Sequence, residues 1–192
     1  MTNDIAVFLD LDNLVIGSKQ ANIQFDINFI LDKIWAMTDN GRIVLRKSYG
    51  DWRQNQQLLE QLTVAGFTTQ STVRINNFSK NLADMQIVFY TMDTLVDGQQ
   101  YSTYVLITGD RDFTPLVQSM QKRGKRVIGI GIKHTASRSF VSLCDEYVFY
   151  EDLLPTPELT EVEVEKLLSL ALSKLLVDGQ TRVRASMLKQ QM

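Results

Sequence analysis

One cysteine and one histidine are all that this chain of 192 residues offers to disulfides or soft metals. Cys144 has no partner for an intramolecular bridge, and with His134 as the sole imidazole a zinc site built from several His and Cys ligands is excluded. No apolar run approaches the ~20 residues needed to cross a bilayer, so no membrane partner is expected. An acid, Asp4, stands near the start, and no basic stretch precedes the short apolar run Ile5 to Leu9. That argues against a signal peptide and makes a reducing, cytoplasmic setting the expectation. An excess of positive charge is missing as well. The net charge is −2 and the pI about 5.4, which taken alone argues against a protein that coats nucleic acid by bulk electrostatics.

What is present is apolar content, 44% of the residues, enough for one ordinary domain with a buried core and a modest appendage. Charge is uneven. Residues 151 to 166 hold Glu151, Asp152, Glu158, Glu161, Glu163 and Glu165 against Lys166 alone, a local charge of −5 that leaves the rest of the chain at +3. Within that rest, bases gather at Arg42, Arg46, Lys47 and Arg53, and again at Lys122, Arg123, Lys125, Arg126, Lys133 and Arg138. A local surface for an anionic polymer is one reading and solvated helix ends the commoner one.

Apolar runs at Ile5 to Leu9, Ile43 to Tyr49, Thr68 to Val73, Tyr104 to Thr108, Val127 to Ile132 and Tyr147 to Tyr150 read as strands. Between them, periodic stretches predict helices over Phe29 to Met37, Gln56 to Ala65, Ala83 to Leu95, Thr114 to Arg123 and Ser139 to Leu143. Asn40-Gly41, Gly66 and Gly124 supply stops, and Pro115 suits a first helical turn. Strands alternating with helices predict an α/β fold, a Rossmann-like three-layer α/β/α sandwich with a mainly parallel sheet. Leu154-Pro155-Thr156-Pro157 opens a linker over 154–159, and 160–192 reads as a helical appendage. Thr160 and Glu163 form its capping box, and Val164, Leu167, Leu168, Ala171, Leu172, Leu175 and Leu176 give one apolar stripe. Val183 to Gln191 reads as a further helix beginning, so the appendage is expected to be unfinished at Met192.

Chemistry points to two acidic signatures, Asp10-Leu-Asp12-Asn13 and Gly109-Asp110-Arg111-Asp112-Phe113, each directly after an apolar run. In a parallel sheet both emerge at the carboxyl edge, where open α/β sheets bind ligands, and gathered carboxylates repel one another unless a cation joins them. Extended geometry would turn Asp10 and Asp12 to one side; Asp10, first after the run, is the better metal ligand, with Asp12 and Asn13 bracing the turn or a bound water. Turn chemistry and helix capping explain such residues equally simply when each signature is taken alone. Asp84 opens a helix and is a third contributor; Asp93, nine positions on, lies about 180° around that helix and cannot share a site with it. Tyr49 and Trp52, flanking Gly50-Asp51, offer rings for stacking unpaired bases, with loop packing as the alternative. Cys144 reads as a small buried apolar residue and His134 as a loop residue.

The ordered motifs A-V-F-L-D-L-D-N, S-K-N-L-A-D-M, V-L-I-T-G-D-R-D-F-T-P-L and C-D-E-Y-V-F resemble the NYN domain of LabA-like proteins, a branch of the PIN-like nucleases, over roughly residues 4–153, within a domain expected at 1–153. The resemblance implies a PIN-like fold and a four-acid centre for Mg²⁺ or Mn²⁺ at Asp10, Asp84, Asp110 and Asp112, with Asp12, Asn13 and Thr108 as polar support. It implies a metal-dependent endoribonuclease acting on single-stranded RNA. Lys80, Arg53 and Arg111 are candidates for backbone phosphates, with solvated surface charge the commoner reading of Arg53. Arg111 stands where the family has a small residue, and Tyr90 where many relatives carry an acid; both bear on activity rather than fold. The segment L-L-S-L-A-L-S-K-L-L-V-D-G-Q-T-R-V-R-A-S-M-L-K-Q-Q resembles the opening helices of an OST-HTH (LOTUS) module, which implies RNA binding or docking of a protein partner. A helical hairpin capping the main domain is the plainer reading of it. A homodimer is a further expectation.

Two other functions compete. A non-catalytic RNA-binding or regulatory scaffold would keep the fold and lose turnover. The D-x-D after strand one and G-D after a late strand also resemble haloacid-dehalogenase-like phosphatases, in which Asp10 would be the nucleophile and Asp12 the general acid. Against that stand Asn13 after the second acid, late acids two positions apart rather than four, and no cap insertion.

Overall fold

A computed structural model describes residues 3–39, 41–51, 53, 55–71, 82–96 and 101–155, together with 166, 168 and 169. Six strands, β1 (Asp4–Asp10), β2 (Arg42–Gly50), β3 (Thr68–Ser71), β4 (Thr103–Ile107), β5 (Arg126–Gly131) and β6 (Glu146–Phe149), pair in parallel in the order β3-β2-β1-β4-β5-β6. The order reverses between β1 and β4, which makes that crevice the switch point of a doubly wound sheet. The predicted α/β architecture and its six strands are thus present.

Alternation along the strands divides the core in two. Ile5, Val7, Leu9, Val105, Ile107, Ile128 and Ile130 face one layer, into which α1 (Leu11–Ala21), α2 (Ile27–Met37) and α3 (Gln56–Val64) send Leu11, Leu14, Ile30, Ile34 and Leu62. Ala6, Phe8, Tyr104, Leu106 and Val127 face the other, covered by α4 (Leu82–Val96), α5 (Thr114–Lys122) and α6 (Arg138–Leu143) through Ile87, Val117, Met120 and Phe140. Sheet residues buried on both faces read as unbroken apolar runs, which is why β1, β4 and β5 are visible in the sequence.

Helix α1 is the main departure from the sequence reading, which has no helix between β1 and Phe29. Its buried positions are Leu11, Leu14, Gly17 and Ser18. Half of that stripe is small, so the apolar period fades just where the helix packs closest. Because α1 begins at Leu11, extended geometry stops at Asp10, and Asp10 and Asp12 do not share a strand face. A 3-10 turn, Arg111–Phe113, likewise precedes α5.

Two compact units divide the chain, Met1–Leu154 and Pro155–Met192. In the second, Lys166, Leu168 and Ser169 are helical, with Ser169 Oγ donating to the Lys166 carbonyl at 2.9 Å. The remainder of the predicted helical segment, the OST-HTH resemblance with it, falls outside the described residues, as do Lys80 and Trp52. Among the described residues no helix is long and apolar enough to cross a membrane.

Candidate functional site

Register sets the site. β1 pairs with β4 so that Leu9 lies opposite Ile107, and the next residues, Asp10 and Thr108, emerge side by side. Asp10 is 3% exposed. It caps α1, its Oδ1 accepting from the Asn13 amide at 3.1 Å, while its Oδ2 accepts from the Thr108 hydroxyl at 3.1 Å. The same hydroxyl oxygen accepts the Asp110 amide at 3.2 Å. Asn13 closes a second bridge, Oδ1 taking the Gly109 amide at 3.0 Å. Two loops distant in sequence are therefore held to each other by two polar side chains.

Gly109 is required by this closeness. A Cβ there would lie 2.6 Å from Ala136 Cα and 2.9 Å from the Thr135 carbonyl, backbone atoms that cannot step aside. Gly50, at the end of β2, has φ +151°, and a Cβ on it would meet Leu11 Cβ at 2.6 Å. Asp110 caps the 3-10 turn, Oδ1 accepting from the Asp112 amide at 3.0 Å. Arg111 and Asp112 are exposed beside it.

Electrostatics single out Asp10. Burial first, then repulsion from Asp84 and Asp12, pushes its carboxyl from 3.8 up to about 7, against the hydrogen bonds from Asn13 and Thr108. Asp84, in the first turn of α4, is thus within electrostatic reach of Asp10. Asp12 sits in the first turn of α1 and its Oδ1 accepts the Asp51 amide at 3.2 Å. Among the described residues no three acid, thiol or imidazole side chains stand as a group able to enclose an ion. Asp10 thus feels both Asp84 and Asp12, Asp110 is joined to it through the Thr108 hydroxyl, and Asp112 is exposed.

Several sequence candidates have other employment. Tyr49 is fully buried and stacked on Tyr90, centroids 5.9 Å apart at 26°, so it presents no face to a base. Tyr90 carries Lys47 Nζ 4.4 Å above its ring centroid. Arg53 is held by Asp51, Nε to Oδ1 at 2.9 Å. Arg123 and Arg126 flank the start of β5, at the edge opposite the acids; Arg123 donates to the Ser119 carbonyl and Arg126 pairs with Glu146. His134 is exposed in a turn, and burial pushes the Cys144 thiol up to about 12. The sequence reading missed Asp51 and also Tyr147, whose hydroxyl donates to the Thr108 carbonyl at 3.1 Å. Neither carries a local signal, since each partner lies on another element.

A fully parallel six-stranded sheet with acids at its switch point defines a doubly wound α/β protein. The chain belongs to the NYN domain family, which matches residues 4–153 and sits within the PIN-like nuclease superfamily. An uncharacterized protein of Methanocaldococcus jannaschii is 26% identical over 133 residues, 69% of this chain and 51% of that protein. The chain thus spans about half the length of the curated relative it matches. A protein of unknown function from Vibrio parahaemolyticus shares the fold, with TM-score 0.67 and 22% identity over 80% of this chain and 96% of that one.

Proposed function

We propose that the protein is a metal-dependent ribonuclease whose centre is built on Asp10 and Asp84, with Asp110 and Asp112 at its rim. The observation that carries this is the placement of Asp10, 3% exposed at the switch point and tied through the Thr108 hydroxyl to the Asp110 loop, with burial and then Asp84 and Asp12 pushing its carboxyl up to about 7. Such a group is relieved by a cation. The donor set is all oxygen, which suits Mg²⁺ or Mn²⁺, and Mg²⁺ is commonly held by one or two carboxylates, with waters and substrate phosphates filling the other positions. Asp10 with Asp84 therefore suits the ion, although among the described residues no group of three stands assembled.

When bound, the ion would supply a polarised water and charge stabilisation for phosphodiester hydrolysis. The residues of the chain do the rest. Thr108 fixes the Asp10 carboxylate by donating to Oδ2, and through the Asp110 amide sets the second acidic loop at the same height. Asn13 locks that loop through Gly109. Arg111, exposed between Asp110 and Asp112, is the candidate for a strand phosphate. Substrate choice follows from the family reading: single-stranded RNA, whose unpaired backbone can enter a crevice at a sheet edge.

A second reading, an RNA-binding scaffold without turnover, draws on Arg111 and Tyr90 and on the lack, among the described residues, of an assembled group of three acids. The phosphatase alternative needs Asp10 and Asp12 to serve one phosphate, whereas Asp12 is engaged with the Asp51 amide on the β2 side. One experiment separates the first two readings. With Mn²⁺, the purified protein cleaves a fluorescent single-stranded RNA, and Asp10→Asn or Asp84→Asn lowers the rate at least about 100-fold, since losing even a supporting partner of a metal ligand costs 10–100-fold. Equal cleavage by the variants sinks the nuclease reading. Binding that persists in EDTA, with no cleavage under either metal, establishes the scaffold instead.

A further inference from the structure

Helix α4 is apolar on the side that faces water as well as on the side that faces the sheet. Ala83 and Ile87 are buried in the core, with Val88, Tyr90, Met92 and Leu95 packed against it. On the other side Met85, Phe89 and Val96 are 66%, 65% and 72% exposed. At 100° per residue these three and Met92 fall within an arc of about 60°. A helix that is apolar all round belongs in an interior, and the sheet beneath α4 accounts for only one of its two apolar faces.

The outer stripe has the size of a contact. Three side chains of this kind, about two-thirds in water, expose roughly 400 Å², in the range of the largest and often functional patch of a monomer. The Phe89 ring stands edge-on against Tyr90, centroids 5.5 Å apart at 82°, so an anchor near the middle of the stripe is already held in place. Charge narrows the choice of partner. Asp84 and Asp93 are the only charged residues of α4, and without a base the stripe suits neither a nucleic acid strand nor an anionic lipid surface.

We infer that two copies of the chain associate through this stripe, α4 antiparallel to α4 about a two-fold axis. Such an interface uses the same patch twice, and the stripe matches itself when reversed. Met85 and Val96 share a midpoint with Phe89 and Met92, so Met85 meets the partner's Val96 and Phe89 meets the partner's Met92. Asp93 then lies level with the partner's Val88, and the two Asp93 side chains stay about 8 Å apart along the axis. Joining the two patches takes roughly 800 Å² out of water, half of a standard interface of about 1,600 Å², and leaves a rim of ordinary size to polar residues. Asp84 is about 110° around the helix from the centre of the stripe, so the contact does not use the proposed metal centre.

Full-length protein in EDTA is followed by sedimentation equilibrium from low micromolar to several hundred micromolar concentration. The mass is expected to climb from 21.9 kDa toward twice that value. Phe89→Glu, which sets a charge in the middle of the contact, is expected to weaken association at least about 30-fold, the least that a central anchor gives. Because Phe89 is exposed in a single copy, the variant should keep the wild-type circular dichroism and melt within a few degrees of it in dilute solution. Register is tested with Met85→Cys, Val96→Cys and a short bis-maleimide. The two positions are about 16 Å apart within one helix, as are like positions of the antiparallel pair, so the reagent bridges only position 85 of one copy to position 96 of the other. Cys144 is buried and takes no part. The double variant is expected to link into dimers and each single variant to stay unlinked. Linked dimers from a single variant, or association undiminished in Phe89→Glu, overturns the inference. So does a monomer at every concentration; slow maleimide labelling of Met85→Cys then shows a segment of the same chain over the stripe, and fast labelling a face left to an unlike protein. None of these readouts moves if the nuclease reading fails.

Discussion

Replacing Asp10 with Asn removes a buried charge while keeping the shape of the side chain, and its effect on stability can be worked out from the surroundings. In metal-free protein the folded state holds the Asp10 proton more tightly than the unfolded chain does, the pKa rising from 3.8 to about 7. The favourable contribution is therefore complete below the unfolded value and is lost as pH rises through the folded one. Each pKa unit is worth about 1.4 kcal/mol, so by pH 8 the carboxylate costs the fold on the order of 4 kcal/mol. Asn removes that cost. Its Oδ1 still accepts the Asn13 amide, but an Nδ2 replaces the oxygen that accepted from Thr108, which sacrifices about 1 kcal/mol of hydrogen bonding.

The net expectation is that Asp10→Asn stabilises the metal-free protein at pH 8 by about 2–3 kcal/mol, roughly 4–12 °C in Tm for a protein of this size. At pH 5 the wild-type carboxyl is already protonated in the folded state and the gain largely disappears. Thermal melts in EDTA at the two pH values test both parts. A second arm adds Mn²⁺, which raises the wild-type Tm by mass action, about 2.7 kcal/mol at 100 times Kd, and leaves the variant unmoved. An Asp10→Asn protein no more stable than wild type at pH 8, or one that gains equally at pH 5, refutes the reasoning.

Three further outcomes follow from the same geometry. Thr108→Val removes the hydroxyl that serves both Asp10 Oδ2 and the Asp110 amide; it should cost about 1–3 kcal/mol in denaturant unfolding and 10–100-fold in cleavage, with Thr108→Ser restoring both. Gly109→Ala drives a methyl into the backbone of Ala136 and Thr135 and is expected to lower stability by about 1–3 kcal/mol, read as a drop in the denaturation midpoint. Asp12→Asn keeps an acceptor for the Asp51 amide, so cleavage should survive it far better than Asp10→Asn; loss equal to that of Asp10→Asn would revive the phosphatase reading.

The strands themselves and the acidic edge were legible because parallel strands covered on both sides, such as Ile5 to Leu9 and Tyr104 to Ile107, must be apolar at successive positions. Helix α1 was not, since Gly17 and Ser18 occupy half its buried stripe and carry no apolar signature. The fate of Tyr49 was equally hidden. An aromatic next to a glycine-acid turn looks the same in sequence whether it stacks on a base or, as here, on Tyr90 of α4, which covers the same face of the sheet. The bridge from Thr108 to Asp10 spans 98 positions and leaves no local pattern. Sequence can name the acids at strand ends; which of them are buried together depends on register, and register is set by the whole sheet.

The capping and functional readings of these acids turn out not to be alternatives, and magnitudes decide what capping leaves unexplained. Asp10 caps α1 and Asp110 caps the 3-10 turn, each with Oδ1. A cap contributes about 1 kcal/mol, and Asn or Ser does it as well as Asp. Asp26 shows what capping alone requires: its Oδ1 takes the Asn28 amide at 2.9 Å at an exposed helix start, with no burial of the bond. Asp10 meets the same need while buried beside two other acids, at a cost near 4 kcal/mol above neutral pH that an Asn cap would avoid. A helix start does not require that excess. A cation held by Asp10 would remove it, and this imbalance, more than the acidic motif itself, is the physical argument for the proposed metal at the switch point.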